Sequence, residues 1–394
     1  MKGCAMSKIG LVLSNTPGYS ETFFVSKIKG LVEAGNELVL FAYKANDTSW
    51  LPKSVKVEEP YQVSSNKVLQ AVKTVCVVSW TILRAPMTTM KFITLEKADG
   101  SSLGAVIRGI YINAHILPYC LDWLHFGFAS MGIGHENAAK AVGAKAAVSF
   151  RGFDIGFYPL KHPGCYNKLF KKIDKIHSIS DDLYNLALAL GLPLAIPYQK
   201  ITPAINSDHF CHKRIVSFNP PLKIVSVGRL AWKKGYEYAL QALASLDVDF
   251  HFTIIGEGTE KERLKYAAYQ LGIVDKVTFA GKQSHDKIAD YLQESDIYLQ
   301  PSVQEGFCNA VLEAQASGLI CIVSDAEGLP ENVEDGKSGF VVPRRNPKVL
   351  AEKIKQVLSM PQEELQAISD YAVERVRKQF DIKDQIKQFI KFYA

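Results

Sequence analysis

The stretch Leu222-Lys223-Ile224-Val225-Ser226-Val227-Gly228, followed after the run Tyr236 to Leu246 by Phe250-His251-Phe252-Thr253-Ile254-Ile255-Gly256, decides the fold. A short apolar run closed by glycine reads as a buried strand, and the longer periodic run between the two reads as a helix. The unit then repeats. A helix around 260–271 precedes a strand at 276–280, a helix around 286–294 precedes 297–300, and 309–316 precedes 320–323. Alternation of this kind predicts a parallel sheet covered on both faces. Upstream the theme is less regular: strand 8–13, helix 22–34, strand 37–42, an irregular basic section, then strands near 146–150 and 176–179. Thr202 to Pro221, with Pro203, Asn206, Asn219, Pro220 and Pro221, has linker composition. A length of 394 residues exceeds what one core usually holds, so two doubly wound layers with a ligand cleft between them are expected.

Composition narrows the class. With 47% hydrophobic and 22% charged residues the chain is of ordinary globular type. The most apolar window, Thr74 to Leu83, is far shorter than the roughly 20 residues a membrane span needs. Ile9 to Leu13 is too short for a secretory core and leads into a turn. The seven cysteines (Cys4, Cys76, Cys120, Cys165, Cys211, Cys308, Cys321) are odd in number and scattered, and the nine histidines show no ligand spacing. A reduced, cytoplasmic protein without a metal site is the expectation. The charge is uneven: 22 Lys and Arg against 14 Asp and Glu, +8, over residues 1–200, and 24 against 26, −2, over 201–394. Lys67, Lys73, Arg84 and Lys91 interleave with Val68, Leu69, Val72, Val77, Val78, Trp80, Ile82 and Leu83, which reads as a patch for an anionic membrane surface.

In open parallel sheets ligands bind at the carboxyl ends of strands. Gly228-Arg229-Leu230-Ala231-Trp232-Lys233-Lys234-Gly235 is such an end, where Arg229 and Lys234 suit a diphosphate or are solvated loop cations. Pro301-Ser302-Val303-Gln304-Glu305-Gly306-Phe307-Cys308-Asn309 is a second, leading into a helix whose first N–H groups form an anion cradle. Glu313 lies one turn past Asn309 on the same face, so two carboxylates flank that cradle. Such an arrangement suits hydrogen bonds from sugar hydroxyls on either side of a diphosphate, or else a loop carboxylate and a surface ion pair.

Glu305 and Glu313, with seven residues between, resemble the E-x7-E motif of retaining glycosyltransferases of family 4, whose fold is GT-B. The resemblance extends to Gly228-Arg229-Leu230 with Lys234-Gly235, to Gly256-Glu257-Gly258, and to Gly336-Lys337-Ser338-Gly339. It is thinner in the first half, at Ser20-Glu21-Thr22-Phe23, His125-Phe126-Gly127 and Ser149-Phe150-Arg151-Gly152-Phe153-Asp154. It implies an α/β protein of two Rossmann-like doubly wound domains facing each other across a cleft. Residues 1–205 would bind the acceptor and 206–376 the nucleotide sugar, and a C-terminal helix in 377–394 would pack back on the first domain.

Carried over by position, the resemblance implies that Arg229 and Lys234 hold the diphosphate, Glu313 the ribose hydroxyls and Glu305 the transferred sugar. The amides of Gly306, Phe307 and Cys308, with Asn309, would cradle phosphate or sugar. Gly281 and Lys282 would edge the base, Gly228 and Gly256 would line the site, and Gly18 would close over the diphosphate. His125 and Asp154 would face the acceptor. Arg151 stands where many relatives have His; a guanidinium is no general base, so orienting phosphate or acceptor is its expected role. No cofactor or metal is implied, because the cations neutralise the leaving group. The expected reaction moves a hexose from a UDP- or GDP-linked donor to a glycan or lipid-linked acceptor in polysaccharide biosynthesis, at the inner face of a membrane. The competing reading is a nucleotide-sugar-binding protein or epimerase of the same fold. A dinucleotide oxidoreductase fails, since Gly256-Glu257-Gly258 has Lys261 where the third glycine belongs, and no nucleic-acid-reading module is present.

Overall fold

The computed structural model describes residues 6–17, 22–210 and 215–394. It divides into two compact units, Met1–Ile201 with Ile386–Ala394, and Thr202–Gln385. The first is built on β1 (Lys8–Leu13), β2 (Glu37–Ala42), β3 (Lys56–Glu58), β4 (Trp123–Phe126), β5 (Lys145–Phe150), β6 (Lys175–Ser178) and β7 (Tyr198–Lys200). The second is built on β8 (Leu222–Val227), β9 (Phe250–Ile255), β10 (Val277–Gly281), β11 (Ile297–Gln300), β12 (Ile320–Ser324) and β13 (Phe340–Val342). Their strand orders are β3-β2-β1-β4-β5-β6-β7 and β10-β9-β8-β11-β12-β13. Every pairing within each sheet is parallel. Both sheets are thus doubly wound, each reversing direction beside its own central strand pair.

The central strands β1, β4, β5, β11 and β12 are buried on both faces, which is why they consist of near-continuous apolar runs, while β3, β7 and β10 are more exposed. Ile224, Phe252, Ile254, Leu299 and Ile322 form the centre of the second core, capped by Leu240, Leu243 and Ile354 from flanking helices. In the first unit Ile9, Leu11, Leu40 and Trp123 pack with Phe389, Phe392 and Tyr393 near the C-terminus.

Two expectations need correction. The divisions fall at 201/202 and 385/386 instead of 205/206 and 376/377. The reason is local pairing: Ile205 N donates to Phe380 O at 3.0 Å, Ile382 N to Ile205 O at 3.1 Å, and Gln385 Nε2 to Thr202 O at 2.6 Å, which ties both segments into the second unit. The section expected to be irregular is helical, with helices Lys67–Arg84, Pro86–Ala98 and Leu103–Asn113. Asn66 Oδ1 accepts from the amides of Val68 and Leu69, Pro86 occupies the first position of the next helix, and Ser102 caps the third.

Candidate active site

β8 and β11 are neighbours, with Ile297 opposite Ile224 and Tyr298 opposite Val225. The chain leaves β8 toward β9 and leaves β11 toward β12, on the opposite side. The loops 228–235 and 301–308 therefore flank the switch point of the second sheet, where such folds hold ligands. Backbone contacts fix one loop on the other: the amides of Val303 and Gln304 donate to Lys233 O at 2.7 and 3.2 Å. Gly235 adopts φ +64°, and a Cβ there would lie 2.1 Å from Pro301 O, so only glycine allows the two loops to nest.

That nesting brings Lys234 against Glu305, whose Oε2 accepts from the Lys234 ammonium. Both side chains are nearly buried, at 11% and 12% exposure. Burial pulls the ammonium toward neutrality, but the Glu305 carboxylate outweighs it and holds Lys234 above its ordinary value, so it stays charged. Glu305 also accepts from Ser302 Oγ at 3.4 Å, which in turn accepts from Gln300 Nε2 at 2.8 Å, and Gln300 Oε1 accepts from Tyr298 Oη at 2.8 Å. This chain runs from the sheet's buried centre to the reacting end of the loop. Lys233, not singled out by the sequence reading, is held below the usual lysine value, chiefly by burial, with Glu305 opposing and Lys234 and Arg229 adding to the depression. Arg229 is exposed and makes no ion pair among the described residues. Lys234 thus meets the carboxylate directly, and Lys233 lies within its electrostatic reach.

Asn309–Ala316 is the helix behind the second loop. The amides of Gly306 and Phe307 carry no hydrogen bond among the described residues, whereas the Cys308 amide donates to Asn332 Oδ1 at 3.0 Å. The amide cradle is therefore two residues wide, not three: Asn332 Nδ2 also donates to Cys308 O at 3.1 Å and clamps that position from below. Burial pushes the Cys308 thiol up to about 11, so it is a packed thiol at this site and no nucleophile. Asn309 opens the helix, partly exposed. Glu313 is 7% exposed, its carboxyl has no partner among the described residues, and burial raises it from 4.5 to about 7. A buried acceptor group left unpaired is what a hydroxyl-bearing ligand would satisfy. Glu327, in left-handed backbone at φ 31°, accepts the Glu305 amide on Oε2 at 2.6 Å and Arg344 Nη1 on Oε1 at 3.2 Å, which braces the loop from the far side.

The glycines expected to line the site prove to make room for it. A Cβ on Gly228 would lie 2.9 Å from Tyr236 Oη and 3.2 Å from Lys234 Cε, and one on Gly256 would lie 2.0 Å from Gly228 O. Gly281 O accepts from Gly256 N at 2.8 Å, and exposed Lys282 follows, on the same carboxyl edge two strands from the switch point.

In the first unit Gly18 lies outside the described residues, as do Ser20 and Glu21. His125 does not face an acceptor: it is fully buried, with Tyr393 Oη 2.6 Å and Lys27 Nζ 3.5 Å from Nδ1 and Ser149 Oγ 2.7 Å from Nε2. Ser149 Oγ is also 2.7 Å from His177 Nδ1, and His177 Nε2 is 2.9 Å from Ile201 O. One donor order fits throughout: Tyr393 donates to His125, with Lys27 beside the same nitrogen, and His125 donates to Ser149, which donates to His177, which donates to the carbonyl. Burial first, then nearby cations, keeps both imidazoles neutral. Asp154 is likewise committed. It is fully buried, accepting from Ala129 N at 2.9 Å and Arg151 N at 3.0 Å, so it fixes the turn after β5 and presents nothing to an acceptor. Arg151 lays its guanidinium over Phe23 and Phe24, 4.0 and 4.4 Å from the ring centroids, and donates from Nε to Gly127 O at 3.2 Å. Its aromatic setting suits orientation by charge and leaves it no proton to exchange. Among the described residues no group of three or more His, Cys, Asp and Glu side chains has the arrangement to hold a metal ion.

Residues 210–375 match the family model of "Glycosyl transferases group 1". Over 95% of this chain and 96% of its own length, a putative colanic acid biosynthesis glycosyltransferase of Salmonella typhimurium, WcaL, is 25% identical. The amylovoran biosynthesis glycosyltransferase AmsK of Erwinia amylovora is 26% identical over 85% of this chain and 86% of its own. Among solved structures, Anabaena HepE in complex with UDP-glucose superposes with a TM-score of 0.70 at 15% identity, covering 98% of this chain and 99% of that one.

Proposed function

From a chain whose residues 210–375 match the group 1 glycosyltransferase model and whose fold is that of GT-B glycosyltransferases, we propose that it moves a hexose from a nucleoside-diphosphate sugar to a glycan or lipid-linked acceptor in surface-polysaccharide biosynthesis, with retention at the anomeric carbon. The observation that carries the reading is the switch-point constellation. Glu313, buried and without a partner among the described residues, lies on the helix that follows the loop carrying Glu305, the partner of Lys234, and the amides of Gly306 and Phe307, which make no hydrogen bond among the described residues. Ribose hydroxyls pair with Glu313, the diphosphate with Arg229, Lys234 and the two amides, and the sugar with Glu305. The bond from anomeric carbon to phosphate oxygen breaks while the bond to the acceptor oxygen forms on the same face, and the acceptor proton passes to the departing phosphate. No side-chain base is required, which suits Arg151. The positive charge of Arg229, Lys233 and Lys234 and the helix N-terminus stabilise the charge growing on the leaving group. The names of WcaL and AmsK support the acceptor class, and the UDP-glucose held by HepE supports the donor class.

The test is a panel of UDP- and GDP-linked hexoses, read for binding by calorimetry and for turnover with and without EDTA. One donor is expected to bind and to be consumed in the presence of extracted lipid-linked oligosaccharide, unaffected by EDTA, giving a product of the donor's own anomeric configuration. A donor that binds tightly but is never transferred supports the binding-protein reading, and an inverted product refutes the same-face step.

A further inference from the structure

The helix Lys67–Arg84 uses only one face in the fold. Val77 and Thr81 are buried, and Val77 packs with Tyr111 and Ala114. On the other side Val68, Leu69, Val72, Val75, Trp80 and Leu83 stand out from the protein, with exposures from 56% to 77%. At 100° per residue these six cover an unbroken arc of roughly 140°, and they run about 23 Å along the axis. The only other side chains in that arc are Cys76 and Ser79, so no charge interrupts it. The next helix, Pro86–Ala98, continues the surface with Met87 and Met90, 84% and 64% exposed. A single exposed leucine is ordinary, but a continuous apolar strip of this length on a protein surface marks a site of interaction.

We propose that this strip docks the protein in the plane of an anionic phospholipid bilayer. Charge selects this occupant over a protein partner or a second copy of the chain. Residues 60–95 contain four cations, Lys67, Lys73, Arg84 and Lys91, and no Asp or Glu. Arg84 and Lys73 border the strip on the Trp80 side, and Lys91 is exposed on the following helix, where long basic side chains reach headgroup phosphates while the apolar arc sits below them. Lys73 also donates to Gln62 O, which leaves Arg84 and Lys91 as the freer pair. No described helix is long and apolar enough to cross a membrane, and this one bends by 116° into its neighbour, so the strip lies along the interface. The docking is independent of the donor chemistry of the second unit.

The test is flotation of the full chain with vesicles of one part phosphatidylglycerol to three parts phosphatidylethanolamine, beside pure phosphatidylcholine. Binding to the anionic vesicles that weakens with salt is expected, with a blue shift of fluorescence that the Trp80→Phe variant loses. Two contacts near an anionic surface contribute about a fivefold change each, so R84Q/K91Q is expected to bind roughly 30-fold more weakly. The L69E/V72E/L83E variant, altered only at exposed positions, is expected to keep the wild-type melting temperature and lose vesicle binding. Wild-type protein that fails to float, or triple variant that floats as wild type does, overturns the proposal. So does a wild-type dimer that the triple variant converts to monomer, since the strip would then be covered by a second copy.

Discussion

Glu313→Gln is expected to make the free protein more stable and the donor complex weaker. Burial holds the Glu313 carboxyl at about 7 against an ordinary 4.5, with no partner to offset the penalty. Between those two pH values the folded chain keeps a proton that the unfolded chain has released. Stability therefore falls as pH rises through this window and stays lower by about 3 kcal/mol above it. Glutamine has no such titration. The variant should match wild type near pH 4.5 and exceed it at pH 8, by up to roughly 6–12 °C in melting temperature for a unit of this size. The same carboxylate accepts the ribose hydroxyls in the proposed complex, and hydrogen bonds to a charged group contribute about 1.5–3 kcal/mol. Affinity for UDP or GDP, whichever the wild type binds, should then fall roughly 10- to 150-fold. Wild-type binding at pH 7, where the free carboxyl at about 7 is half protonated, should also release about half a proton, seen by calorimetry in buffers of different ionisation enthalpy, and the variant should not. A variant that binds the nucleotide as tightly as wild type and melts with it at pH 8 would refute both the burial argument and the ribose assignment.

Lys234→Ala leaves a nearly buried carboxylate uncompensated and is expected to lower stability by about 3–5 kcal/mol in urea titrations, most of which K234A/E305A restores. Arg229→Ala, at an exposed and unpaired position, should melt like wild type yet bind nucleotide at least tenfold more weakly, with a shallower salt dependence. Glu305→Ala should lower turnover more than donor binding in steady-state and calorimetric measurements. Lys27 is held well below the usual lysine value by burial, so the folded form binds fewer protons and stability rises with pH toward 10.5; Lys27→Met should remove that slope and melt at or above wild type at pH 7.

The switch-point loops were legible because their signals are local. Gly228, Gly235 and Gly306 interrupt apolar runs at strand ends, and the cations and carboxylates sit among them. What those charges do to one another was not legible, since Lys234 and Glu305 meet only because β8 and β11 are adjacent, 71 residues apart in sequence. Asn332 escaped notice for the same reason, acting on the loop from another part of the chain. His125 misled because the local sequence of a strand end does not tell which way its ring points. The register of β4 between β1 and β5 aims it at Ser149 and the C-terminal residues, not outward. The helix Lys67–Arg84 hid its period in another way. Its buried face carries Thr81 beside Val77, with half-buried Gln70 and Thr74, so its apolar arc points away from the core instead of toward it, although Asn66, Pro86 and Ser102 stand at helix starts. Strands β3, β7 and β13, at three residues each, were too short to stand out.

The ion pair at the switch point bears on why Glu305 is expected to act on turnover more than on binding under the proposed reading. In the free protein Lys234 and Glu305 satisfy each other in a nearly dry setting, and Lys233 is depressed chiefly by burial, with Lys234 and Arg229 adding to it. A diphosphate brings enough negative charge to replace Glu305 as the partner of Lys234, while the loop stays braced by Glu327 and by the Lys233 carbonyl. Under the proposed reading the displaced carboxylate stays within its loop, near the amides of Gly306 and Phe307, and the transferred sugar's hydroxyls replace the ammonium as its donors. Under the proposed reading, donor binding is thus an exchange of partners, and the nucleotide alone leaves Glu305 without one. Removing Glu305 spares the nucleotide a competitor for Lys234 but leaves the sugar without its acceptor. That difference is why Glu305→Ala is expected to separate affinity from rate while Arg229→Ala, which touches no competitor, lowers both.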